Sequence, residues 1–131
     1  MITLIIVIAC WALAAGCNAV MDVLNFKFKT SVFNKLNPDY WNPAKSWRNK
    51  YKNKMAYQGP AFIGSTTFLS FLTDAWHLFQ FLSNSLQALS VVFVFEACCG
   101  LDWYYNLALF LALKATWGII FEPLYRTILR R

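Results

Sequence analysis

Three long stretches of this chain are almost wholly apolar, and its polar residues gather between them or in stripes along them. The first stretch, residues 2–24, is long enough to cross a hydrocarbon core, which takes about 20 helical residues. Its few polar positions end in Asn18, Asp22 and Asn25, spaced four and three apart and so on one face at the C-terminal end. The second stretch, residues 61–99, has no glycine or proline between Gly64 and Gly100. Nothing within it has the chemistry of a hairpin turn. One uninterrupted helix is predicted there, about 36 residues and roughly 54 Å long, so part of it must project beyond a bilayer core. The third stretch, residues 103–122, opens on Trp103, Tyr104 and Tyr105 as helices do at a membrane interface, and carries Lys114 as its one internal charge. The pattern predicts an all-α polytopic membrane protein. Three transmembrane helices and one basic interfacial segment form a single membrane domain over residues 1–131.

Along the second stretch, Thr66, Ser70, Thr73, His77, Gln80, Asn84 and Gln87 recur at spacings of 4, 3, 4, 3, 4 and 3. That is a heptad-like seam made of polar residues in place of apolar ones. Polar side chains facing lipid tails lack partners, so the seam is expected to face other helices or water. It suits association with a second copy or another membrane protein, or a polar path.

Composition agrees with a lipid environment. Hydrophobic residues make up 59% of the chain and charged residues 14%, where a soluble domain carries about 25% charge. A core of this size cannot bury so much apolar surface. The net charge of +6 is local: residues 26–59 hold eight lysines and arginines against Asp39 alone. Basic loops stay cytoplasmic, which places the N-terminus outside and the basic tail, residues 123–131, inside. Three spans put every basic cluster on the same side. The first stretch has no basic n-region and is expected to be a retained helix, not a cleaved signal. Cys10, Cys17, Cys98 and Cys99 show no CxxC spacing and read as small packing residues, not disulfide partners or metal ligands.

The basic segment contains Asn37-Pro38 and Asn42-Pro43. Asparagine caps helices and proline suits the first helical position, so each pair is predicted to open a short helix. On the second, expected from Pro43 to about Lys52, Trp47 and Tyr51 lie four apart, as do Arg48 and Lys52. An aromatic edge then runs beside a cationic one. Such a surface superficially suits nucleic acid, but this one is tethered at both ends to a bilayer. Bases near an anionic leaflet gain about 1 kcal/mol each. Membrane phospholipid is therefore the expected partner, with Lys45, Trp47, Arg48, Tyr51 and Lys52 as the lipid- and phosphate-binding residues, and nucleic acid is not expected.

Ionisable groups at membrane depth mark candidate sites. Asp22, Asp74, His77 and Glu122 are all expected near the cytoplasmic boundary. Asp74 and His77, three apart on one helical edge, form with Asp22 the candidate catalytic group for acid–base or metal work; the plainer alternative is a satisfied structural pair. Lys114 with Glu122, and Glu122 with Arg126, are candidate ion pairs. The chain has no HExxH, GxSxG or Walker A motif and a single histidine. No cofactor and no metal ligand set are expected; any metal site would lean on carboxylates, which suit Mg²⁺ or Ca²⁺ better than Zn²⁺.

Two runs, "WNPAKSWRNKYKN" and "STTFLSFLTDAWHLFQF", carry a resemblance. Over about residues 37–82 the chain resembles small, uncharacterised integral membrane proteins of bacteria and their phages. The Trp-Asn-Pro, Ser-Trp and Asn-Lys-Tyr spacing is the most specific part. The resemblance implies a prokaryotic or phage origin, and so a multi-pass protein of the bacterial inner membrane; it attaches no activity. Three functions fit the sequence. The first is docking on anionic lipid through the basic loop, with association through the polar seam. The second is an intramembrane enzyme acting on a lipid headgroup at the cytoplasmic face. The third is a holin-like pore former.

Overall fold

The computed structural model describes residues 2–100 and 102–123; Arg126 and the Glu122 side chain lie outside the described residues. Every regular element among them is helical, apart from one isolated bridge between Tyr51 and Pro60. The helices are α1 (Ile2–Phe26), α2 (Pro38–Trp41), α3 (Pro43–Ser46), α4 (Ala75–Cys99) and α5 (Trp103–Pro123), with short 3-10 turns between α1 and α4. Two compact units divide the chain, residues 13–83 in one and residues 1–12 with 84–131 in the other.

Among the described residues, α1 and α4 are each long and apolar enough to cross a membrane. Burial separates them from the core helices of a soluble protein: only 17% of the most apolar stretch of α1 and 22% of that of α4 are buried. α5, expected as a third span, is not one of these two.

Helix packing uses small residues. Cys10 and Ala14 of α1 and Ser83, Ala88 and Ser90 of α4 are buried, while Ile5, Ile8 and Leu13 are exposed. Small side chains let helix backbones approach closely, as in bilayers. In the unit of residues 13–83, Ser83 Oγ lies 3.3 Å from both Ala14 O and Asn18 Oδ1.

The long helix expected from residue 61 begins instead at Ala75. Gly64 explains part of the difference: it takes φ +83°, and its carbonyl accepts from both Thr67 N and Leu69 N. Hydroxyls explain the rest. Ser and Thr side chains compete for backbone groups and weaken helix propagation. Ser65 Oγ donates to Lys50 O and the Thr73 hydroxyl lies 2.7 Å from Ser70 O. Phe71 folds back to stack on Phe81, ring centroids 4.2 Å apart. Asp74 then starts α4 as its N-cap, Oδ1 accepting from His77 N at 3.0 Å.

Candidate functional site

The basic segment is an ordered platform. Asn37 Oδ1 accepts from Asp39 N at 2.9 Å and Asn42 Oδ1 from Ala44 N at 3.1 Å, with proline at the first helical position of α2 and α3. Both Asn-Pro pairs thus cap short helices, and α3 runs on as a 3-10 turn over Trp47–Lys50. The chain then doubles back: Lys52 N donates to Gly59 O and Ala61 N to Lys50 O. At the tip, Lys54 reaches Asp39 Oδ2 at 2.7 Å. That hydrogen bond, and then the lysine's charge, hold the Asp39 carboxyl below its usual 3.8.

One side chain fastens this platform to the start of α4. Asn49 Nδ2 donates to Asp39 O at 2.6 Å and to Thr73 O at 3.0 Å. Its amide therefore bridges the residue before Asp74 to the opening of α2. Aromatic stacking supports the same join, with Phe33 5.2 Å from Trp41 and Trp41 6.2 Å from Phe79.

Beneath Asn49 lies a polar cluster. Asp74 is 1% exposed. Its Oδ2 lies 2.7 Å from His77 Nδ1 and 3.1 Å from the Thr73 hydroxyl. Burial pushes the Asp74 carboxyl up, but the hydrogen bond and charge of His77, then its backbone N–H, and the Thr73 hydroxyl together hold it below 3.8. Burial first, and the Asp74 charge second, keep the Tyr40 phenol protonated. With Nδ1 committed to Asp74, Nε2 is the outward nitrogen of His77, and Lys50 Nζ stands 3.5 Å from it. Trp76 packs edge-on against the imidazole at 5.1 Å.

The other candidate residues sit elsewhere. Asp22 is exposed on α1, and among the described residues no three His, Cys, Asp or Glu side chains converge as a metal would need. Trp47 and Tyr51 meet edge to face at 6.0 Å, with the Arg48 guanidinium 5.4 Å from the Trp47 ring centre; Lys45 and Lys52 are exposed. Because α4 begins at Ala75, the polar seam is shortened: Thr66, Ser70 and Thr73 lie in turns, and His77, Gln80, Asn84 and Gln87 remain helical. Within the unit of residues 1–12 and 84–131, Asn84 and Gln87 line a cleft of about 210 Å³ with Trp11, Val91, Leu113 and Lys114. Lys114, expected to pair with Glu122, donates to Ser85 Oγ at 3.0 Å.

Two residues of the cluster escaped the sequence reading, Asn49 and Lys50. Part of the signal was there: Asn49 and Lys50 lie three and four positions after Ser46, and all three are less exposed than Lys45 and Arg48, whereas Lys52 lies beyond the extended Tyr51, where the helix expected to reach it has ended. No family model, curated protein or solved structure matches the chain.

Proposed function

We propose that this is a small integral membrane protein that docks its basic aromatic platform on anionic phospholipid. In this reading α1, α4 and α5 are three spans, the platform and C-terminal tail are cytoplasmic, and the shortened seam with the Lys114 cleft serves association with another membrane helix. The observation that supports docking best is the Asn49 clamp together with what it presents. An ordered segment, fixed to the foot of α4, exposes Trp47, Met55, Tyr57 at 84%, Phe62 and Ile63 at 88% among its lysines. Exposed apolar side chains between bases suit a headgroup layer, where rings and stems enter the acyl boundary and ammonium groups stay at phosphate level.

Brominated lipids test this reading. In vesicles where either phosphatidylglycerol or phosphatidylcholine carries the bromine, Trp47 fluorescence, taken as wild type minus Trp47→Phe, is quenched more by the brominated phosphatidylglycerol. No quenching of Trp47 by either lipid would remove the docking reading.

The Asp74–His77 pair favours a second reading, a headgroup-directed enzyme with His77 as acid–base group. Release of headgroup or phosphate from lipid by the wild type, lost in His77→Asn, would be its signature; lipid recovered intact after incubation rules it out.

A further inference from the structure

We infer that the cleft beside Asn84 is the seat of a second copy of this chain, the two copies pairing through their Asn84 side chains. This deepens the association part of the proposed function and rests on α4 crossing the bilayer. The cleft, about 210 Å³ and lined by Trp11, Asn84, Gln87, Val91, Leu113 and Lys114, belongs wholly to the unit of residues 1–12 and 84–131. Asn84 follows Ala75, the first residue of α4, by nine positions in a helix of 25 residues. It therefore lies roughly 14 Å along a helix about 37 Å long. That depth is near the middle of a hydrocarbon core about 30 Å thick.

Asn84 is the group in this cleft that asks for a partner. Its side chain is half-buried, and among the described residues none hydrogen-bonds to it. At mid-bilayer no water offers a substitute, so an unpaired carboxamide there is costly. The other polar side chains of the cleft are engaged: Lys114 Nζ donates to Ser85 Oγ at 3.0 Å, and Gln87 also takes part in an interaction. The open demand is thus a neutral one, for a donor and an acceptor together, which is what a carboxamide both offers and requires. An acidic helix would instead bring a charge to a depth where charge is costly. A second copy supplies the complement. About a two-fold axis along the bilayer normal, identical residues lie at equal depth, and each Asn84 can donate to and accept from the other. Ala88, one turn further along α4 and also lining the cleft, is small enough to let a partner backbone come close.

The test follows the mass of the full chain by sedimentation in neutral detergent as the protein-to-detergent ratio rises. Wild type should pass from monomer to dimer. Asn84→Leu, which keeps the side-chain size and removes the carboxamide, should weaken dimerisation by roughly tenfold or more, the scale of two interhelical hydrogen bonds. Asn84→Gln should retain most of it, and unchanged helical circular dichroism in both variants shows that the helices persist. With the four native cysteines replaced by alanine, Asn84→Cys should cross-link to a dimer in liposomes under mild oxidation. Leu86→Cys, on the opposite face of α4, should not. A wild type that stays monomeric at every ratio overturns the inference and self-association with it. Dimerisation unchanged in Asn84→Leu, or cross-linking at residue 86 in place of 84, overturns the inference alone, because the chain then associates through another face.

Discussion

Asn49 and Thr73, 24 positions apart, are joined by a 3.0 Å hydrogen bond from the asparagine amide to the threonine carbonyl. The same amide reaches Asp39 O at 2.6 Å. One side chain thus satisfies two backbone carbonyls, one in the platform and one at the foot of α4, and joins the two.

Removing that amide should loosen the platform without melting the apolar helices. Asn49→Ala forfeits two hydrogen bonds, each worth about 1 kcal/mol net. Limited proteolysis within residues 43–60 should speed up by roughly tenfold or more, while the helical circular dichroism of α1 and α4 is little changed. Unchanged cleavage would show that the clamp holds nothing.

Asp74 gives the platform a dependence on acid. Its folded carboxyl is held below 3.8, so its contribution is fully present above the unfolded value of about 3.9 and is lost as pH falls through the lower folded value. The wild type should lose thermal stability below about pH 4. Asp74→Ala, which removes the cap, should be less stable at neutral pH by about 0.5–2 kcal/mol, and should lose less on acidification. Parallel pH curves for the two proteins would contradict the assignment.

Gly64 holds a left-handed turn that a side chain resists. A Cβ there would sit 2.9 Å from the Phe68 ring at φ +83°. Gly64→Ala should destabilise the turn over residues 61–73 by about 1–2 kcal/mol, read as faster amide exchange there. Slower exchange would mean that the segment prefers to continue α4 as helix.

Topology is open to chemical labelling. Cys98 and Cys99 are exposed at the end of α4, whereas Cys10 is buried and Cys17 partly so. In intact cells a membrane-impermeant maleimide should label Cys98 and Cys99 from outside. A cysteine placed at Lys52 should react only in inverted vesicles. Labelling of both from one side would contradict a single crossing by α4.

Local chemistry was legible in the chain; long-range joins were not. Asn37-Pro38 and Asn42-Pro43 announced their helices because capping depends on neighbours two residues away. The Asp74 and His77 spacing was readable for the same reason. The start of α4 was misplaced because residues 61–73 are apolar enough to continue a helix, and the opposing signals, Gly64 and the recurring hydroxyls, are individually weak. Read as an N-cap followed by His at the third helical position, Thr73-Asp74 would have marked the boundary. Lys114 was matched to Glu122 by helical spacing, and its hydrogen bond to Ser85, on another helix, had no signal in that spacing. Asn49 and Lys50 gain their roles only when residues more than 20 positions away return to meet them.

The docking claim is tested most directly by hydrogen exchange across the platform in two lipid environments. With the protein in nanodiscs of phosphatidylcholine alone and of phosphatidylcholine with phosphatidylglycerol, peptides covering residues 43–63 should exchange more slowly when the anionic lipid is present, while α4 is unaffected. Equal exchange of those peptides in both nanodiscs would contradict a platform that rests on anionic lipid.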